Sequence, residues 1–481
     1  MSALSAAAAG ACLAPAQAGR RLAGLLAGGA LLASVALVPL LPPVALKARA
    51  TLALGALALG ALYLWARTGT RRTSLDGPVL LYLGAAALAT LAAPDPLVSF
   101  YPSRFRGEGL AVLLALGALT LAGARLGPRA GWWMMVATVT GAVMIGVVAV
   151  LEFYGLDPLP AWGLRRSPAG LFDGRAYVTM GNPIFLGAHM VLALPLALAA
   201  GLDRPRRTWA LTLLAAGVLF AGLVASQTRG AWVGLVVALL VLAGLARGRP
   251  TVGEQPGRTV GRQGRAASAS RPSRRVVQAA VLFAAVAALM GLTRPQAALG
   301  GRVASTADLS TPSLQIRLYL WRHTLPLVAE RPLLGWGFSA LVGRFPDYGS
   351  PTYRRLFGER LHLIDSPHNE LLHVALSTGL VGLAAYLWAW VRAARGLWGR
   401  WRRGGDRLAA GCLAGLGGYA VWLQSGWSLL GPMNLAWAIL ALGAATAPAD
   451  GATGVSPRPD PVGSAGAAGQ GPSRVLKIAC L

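Results

Sequence analysis

TWALTLLAAGVLFAGLVASQTRGAWVGLVVALLVLAGLA, residues 208–246, is two apolar runs joined by the turn Ser226-Gln227-Thr228-Arg229-Gly230-Ala231-Trp232. Each run approaches the ~20 residues with which a helix spans a bilayer. The only charge in the stretch is Arg229, in the turn. Similar runs recur along most of the 481-residue chain, which is 55% hydrophobic and 13% charged. A soluble domain carries about 25% charged residues. The reading is an all-α, polytopic transmembrane helical bundle of about 12 spans: 22–41, 50–66, 78–93, 109–124, 130–151, 184–202, 208–225, 230–246, 276–292, 371–390, 408–423 and 427–445.

Charge patterning orients the bundle. A net charge of +27 would point to nucleic acid in a soluble protein. Here most of the arginine sits in short loops beside apolar runs, the positive-inside pattern, so membrane lipids and not nucleic acid are the expected contact. With Arg20 and Arg21 inside, the cytoplasmic loops receive Arg67, Arg71 and Arg72, then Arg125 and Arg129, then Arg204, Arg206 and Arg207, and the basic runs 247–275 and 392–407. The outside turns receive few cations, among them Lys47, Arg104 and Arg106, and most of the acids. The expected organisation is a disordered cytoplasmic lead-in (1–21), a membrane domain (22–447) and a disordered cytoplasmic tail (448–481). Within the membrane domain, 247–275 reads as a disordered cytoplasmic loop. The aromatic-rich segment 293–369, between spans nine and ten, reads as a large, mostly helical external loop. Cys12, Cys412 and Cys480 lie far apart without metal-ligand spacing, which argues against a disulfide scaffold or a zinc site.

In this topology Arg229, Arg317, Arg322 and His368 all face the non-cytoplasmic side, against the usual charge bias. A phosphate-bearing lipid substrate supplies a reason, because the planar guanidinium fork matches phosphate oxygens. A snorkelling interfacial arginine gives the same pattern at Arg229. Leu314-Gln315-Ile316-Arg317-Leu318-Tyr319-Leu320-Trp321-Arg322-His323 reads as an amphipathic helix with Arg317 and Trp321 on one face. His368 follows Pro367, which disfavours helix before it, so the tenth span starts near His368. An imidazole there can take a proton from an attacking hydroxyl, with Asp365 and Glu370 as rival bases.

Together, Ser226–Trp232, Arg331-Pro332-Leu333-Leu334-Gly335-Trp336-Gly337-Phe338, Pro367-His368-Asn369-Glu370-Leu371-Leu372 and Gly379-Leu380-Val381-Gly382-Leu383 resemble the O-antigen ligase and polymerase family. Gly181-Asn182-Pro183 is similar to the family's Gly-Asn-Pro-Asn segment, with Ile184 in place of the second Asn. The resemblance implies a multi-pass enzyme of the bacterial inner membrane, with its active site on the external face. It would move a glycan from undecaprenyl diphosphate to a hydroxyl of a glycan, lipid or protein acceptor, with no cofactor. Nothing in the chain looks like an Asp-rich metal site, so arginines would neutralise the leaving diphosphate. Arg229, Arg317 and His368 are then the expected catalytic residues, and Arg322, Asn369, Glu370 and Asn182 the expected substrate contacts. A polytopic transporter or flippase of lipid-linked glycans is the alternative. It should carry ionisable groups at mid-membrane depth, where these spans have almost none.

Overall fold

The computed structural model describes residues 2–42, 44–69, 72–101, 106–162, 172, 174–247, 262–304, 306, 308, 311–358 and 363–444. The chain opens with α1 (Ser2–Ala36), α2 (Val44–Thr68), α3 (Asp76–Leu91), the short α4 (Pro96–Phe100), α5 (Leu110–Gly123) and α6 (Pro128–Phe153). A second group comprises α7 (Pro183–Gly201), α8 (Arg206–Ser226), α9 (Arg229–Arg247) and α10 (Arg262–Thr293). Between α10 and α15 lie α11 (Leu299–Ala304), α12 (Pro312–Glu330), α13 (Ala340–Arg344) and α14 (Pro351–Phe357). The bundle closes with α15 (Glu370–Gly404), α16 (Arg407–Trp422) and α17 (Pro432–Ala444). Eight of these helices are long and apolar enough to cross a bilayer, and α3, α5 and α17 are shorter apolar ones. With the 16-residue α16 they match the expected spans.

α7 is the hub. Apart from His189 it is apolar on every side, and most of it is buried against α8, α9, α16, α6 and α17. α10 has only 17% buried, so Val277, Val281, Leu289 and Leu292 point outward, as lipid-facing side chains do. Small residues set the close crossings. A Cβ on Gly234 of α9 would come within 2.6 Å of the Gly418 carbonyl of α16, and the reverse approach is 2.4 Å.

The segment between α10 and α15 is mostly helical and has its own apolar core of Tyr319, Leu320, Leu327, Trp336, Leu341, Phe345, Tyr353 and Ile364. It is keyed into a break in α15. Gly379 there has φ 68° and ψ −176°, outside helical geometry. The amides of Trp336 and Gly337 donate to the Leu376 and Ser377 carbonyls at 2.8 and 3.0 Å, and the Leu380 amide donates to Pro332 at 2.7 Å. The inserted turn thus satisfies backbone groups that the kink frees. The guanidiniums of Arg331 and Arg344 both lie over the Trp336 indole, at 4.0 and 4.5 Å.

Three stretches differ from the expectation. The lead-in over 1–21 is helical backbone from Ser2 onward. Of the run 247–275, residues 248–261 lie outside the described residues, while α10 is helical from Arg262. The basic run 392–407, expected as a loop, is helix up to Gly404. Arginine, leucine and tryptophan interrupt no helix, and arginine is a good former. The turn is compressed to Gly405 in a left-handed conformation and Asp406, whose carboxylate caps α16. Lys47, expected in an outside turn, is buried in α2 and donates to the Val38 and Pro39 carbonyls. The tail 448–481 lies outside the described residues.

Candidate active site

The starts of α9 and α12 meet, and the residues just before α15 pack against α12. Gln227 ends α8 in a left-handed conformation (φ 49°), so Arg229 becomes the first residue of α9. Its Nη2 donates to Ser313 Oγ, one residue into α12, at 2.9 Å. One turn along α12, Arg317 donates to the Ser313 carbonyl at 3.1 Å and to the Ser425 carbonyl at 3.0 Å. Arg229 and Arg317, 88 residues apart in sequence, therefore meet at one serine. Helix N-termini carry partial positive charge and exposed amides, so guanidinium groups there add to a field already suited to anions.

Two further arginines join them. Arg175 donates to the Ser226 carbonyl at 3.1 Å and to Thr228 Oγ1 at 3.3 Å, on the turn that carries Arg229. Burial, then the neighbouring charges of Arg302 and Arg229, push its guanidinium down to about 10. Burial followed by Arg229 also lowers Arg317 and Arg302 from the ordinary arginine range. These mutual effects mark a cluster of neighbouring cations.

His368 stands at its edge. Trp321, on the Arg317 face of α12, donates its indole N–H to the Pro367 carbonyl at 2.9 Å. The His368 amide donates to Ser366 Oγ at 3.0 Å, and the residue adopts φ 51°, unusual for a side chain with a Cβ. Its ring, half-buried, meets the Trp427 ring edge-to-face at 4.3 Å between centroids. Burial first, then the charges of Arg317 and Arg106, push the imidazole down to about 3, with Asp365 opposing. It is therefore neutral at physiological pH. The sequence reading offered this imidazole as a proton acceptor at a helix start; the structure adds the burial and the two arginines that keep it uncharged.

The other expected contacts have different settings. Asn369 is the N-cap of α15: its Oδ1 accepts from the Leu372 amide at 3.1 Å and its Nδ2 donates to the Gln424 carbonyl at 3.2 Å. Asn182 caps α7 in the same way, accepting from the Ile184 amide at 3.0 Å. Glu370 is buried and turned to the bundle, accepting from the Ser428 amide at 2.7 Å and from Tyr386 at 3.3 Å. Arg322 is exposed on α12 and makes none of the contacts that hold the cluster. Asp365, the other rival base, is engaged by Arg106 at 2.7 Å. Among the described residues no group of three His, Cys, Asp or Glu side chains could hold a metal ion.

Sequence reasoning passed over Arg175, Arg302, Arg106, Glu108 and Trp427. Arg106 carried a usable signal, since a cation in a turn expected outside runs against the bias just as Arg229 does. Glu108 is buried; burial alone would raise its carboxyl, but His373 and Arg106 beside it outweigh that and hold it at about 2.

The fold is that of a polytopic helical membrane protein, and it brings a cluster of arginines close to His368. Residues 210–387 match the family model described as O-Antigen ligase, so this part of the chain is similar to that family. The match covers Arg229, Arg302, Arg317 and His368. Similar curated proteins include three named "Putative polysaccharide ligase", from Rickettsia prowazekii (34% identical over 77 residues), Rickettsia typhi (36% over 78) and Rickettsia bellii (36% over 78). Each alignment covers 16% of this chain and 18% of the relative, so the chain aligns with under a fifth of the length of the curated relatives it matches.

Proposed function

We propose that this protein is a membrane glycosyltransferase that moves a glycan from undecaprenyl diphosphate to an acceptor hydroxyl at the external face of the bacterial inner membrane. The observation that carries the proposal is the meeting of Arg229 and Arg317 at Ser313 with a neutral His368 alongside. The two guanidiniums hold the donor diphosphate and neutralise the charge that grows on it. The acceptor oxygen attacks the anomeric carbon, the bond from that carbon to the diphosphate oxygen breaks, and undecaprenyl diphosphate leaves with the electron pair. The hydroxyl proton passes to His368. A single displacement of this kind inverts the anomeric configuration, and the arginines do the electrostatic work that another enzyme would assign to a divalent cation.

The test is turnover of a lipid-diphosphate-linked glycan by the purified protein and its Arg229→Lys variant. Lysine keeps the charge and loses the planar fork. The expected outcome is a loss of most activity, on the order of 10–100-fold for a misplaced diphosphate. Wild-type turnover in Arg229→Lys would reduce Arg229 to an interfacial anchor.

A further inference from the structure

His368 has an uncommon backbone conformation for a residue with a Cβ (φ 51°), and something must hold it. One side chain reaches both the loop and the ring packing. Arg106, in the connection before α5, is 4% exposed and donates from Nε to Asp365 Oδ2 at 2.7 Å, three residues ahead of His368 in the same loop. Its guanidinium also lies over the Trp427 ring at 5.1 Å, and Trp427 is the aromatic wall that His368 meets edge-to-face. Nη1 of Arg106 donates to Glu108 at 3.2 Å, and Glu108 is hydrogen-bonded to His373, one turn into α15. The clamp is thus anchored on the helix whose start carries His368.

We propose that Arg106 is a positioning residue for His368, fixing its loop through Asp365 and its ring through Trp427. The inference rests on the reading of His368 as the group that takes the acceptor proton. Arg106 does not touch substrate in this scheme; it holds the imidazole in the orientation that makes transfer fast. Misplacement of about 1 Å in such a group costs on the order of 100-fold in rate.

The charged groups facing His368 are Arg317 from α12, Arg106 from the connection before α5 and Asp365 from its own loop. Replacing Arg106 removes a cation and releases a carboxylate beside the imidazole, and both changes favour its protonated form. The experiment compares full-length Arg106→Gln, Asp365→Asn, the double variant and Trp427→Phe with wild type and His368→Ala. Readouts are kcat, donor KM and the pH profile of kcat/KM. The expected result for Arg106→Gln is a kcat lowered on the order of 10–100-fold, an unchanged donor KM, and an acid limb displaced towards neutral pH. In the double variant the acid limb falls back, because the released carboxylate is gone while the slow kcat remains. A purely structural role would not move the limb in this way.

Wild-type kcat and acid limb in Arg106→Gln, with His368→Ala inactive, would overturn the clamp and leave the reading of His368 standing. Wild-type transfer in His368→Ala would overturn that reading, and the clamp with it. Donor KM raised in step with the loss of kcat would make Arg106 a donor ligand and also overturn the proposal. If Arg106→Gln fails to fold, Asp365→Asn and Trp427→Phe decide: slowed kcat with unchanged donor KM supports the clamp, and wild-type kcat in both overturns it.

Discussion

At the scale of single residues, the site turns on cations placed where helix ends and neighbouring cations disfavour them. A binding site for a doubly charged leaving group needs that arrangement before the substrate arrives, so that no reorganisation is required during the reaction. His368 is the base in this scheme, and its neutral form is the active one. Its pKa in the free protein is pushed down to about 3, so activity limited by its protonation is present above that value and lost as pH falls through it. The pH profile of kcat/KM reports the free enzyme, and it should show no acid limb from His368 between pH 5 and 7, roughly the range around the unperturbed imidazole value. The limb in kcat should lie higher, because bound diphosphate offsets Arg317. A kcat/KM limb near ~6.5, the unperturbed value, would contradict this electrostatic account. Arg229, Arg317 and His368 could be singled out in the sequence because each is a cation or imidazole in a segment expected to carry little positive charge. Arg175 and Arg302 were not, because nothing local tells where their loops return. Asn369 and Asn182 were ambiguous for a physical reason: an asparagine before a helix looks the same whether it binds substrate or caps the helix, and here both cap.

At the scale of elements, the junction between the Arg331–Phe338 turn and the α15 kink positions the helical segment that carries Arg317. Gly379 makes it possible. A Cβ there would come 2.0 Å from the Leu333 carbonyl oxygen, and the backbone sits in a region only glycine adopts readily. Gly379→Ala should cost on the order of 2–4 kcal/mol, combining backbone strain with overpacking. Gly244→Ala in α9 is the control: nothing lies within 4 Å of its added Cβ, and alanine gains up to about 1 kcal/mol in helix propensity. Thermal unfolding in detergent reads both, with a lowered Tm expected for the first and an equal or raised Tm for the second. Equal Tm values would mean that the turn does not depend on the kink. The glycines of this junction are visible in the sequence as motif residues. Their partnership is not, since it joins backbone at Leu333 to backbone at Gly379 across a helix and a loop. The length of α15 also escaped the sequence reading: arginines that marked a cytoplasmic loop are the last turns of the helix itself.

At the scale of the whole molecule, the helical bundle follows directly from apolar runs of spanning length, and burial within it follows from which runs lack polar residues on every face. The short helices are less obvious. The 13 residues of α17 rise about 20 Å, less than the ~30 Å of a hydrocarbon core. In the irregular segment before it Leu423, Trp427, Leu429 and Leu430 are buried in protein, the setting in which irregular backbone is tolerated at membrane depth. That segment supplies both the Ser425 carbonyl that receives Arg317 and the Trp427 ring beside His368. In the proposed reaction the arginines would hold the donor and the histidine would meet the acceptor. The most direct test of this division is His368→Ala, followed by two assays on the same purified protein: binding of the lipid-diphosphate donor and transfer of its glycan. The account predicts donor binding at wild-type strength and transfer slowed on the order of 10²–10⁴-fold, as for a lost general base. Transfer at the wild-type rate, or loss of donor binding together with transfer, would contradict it.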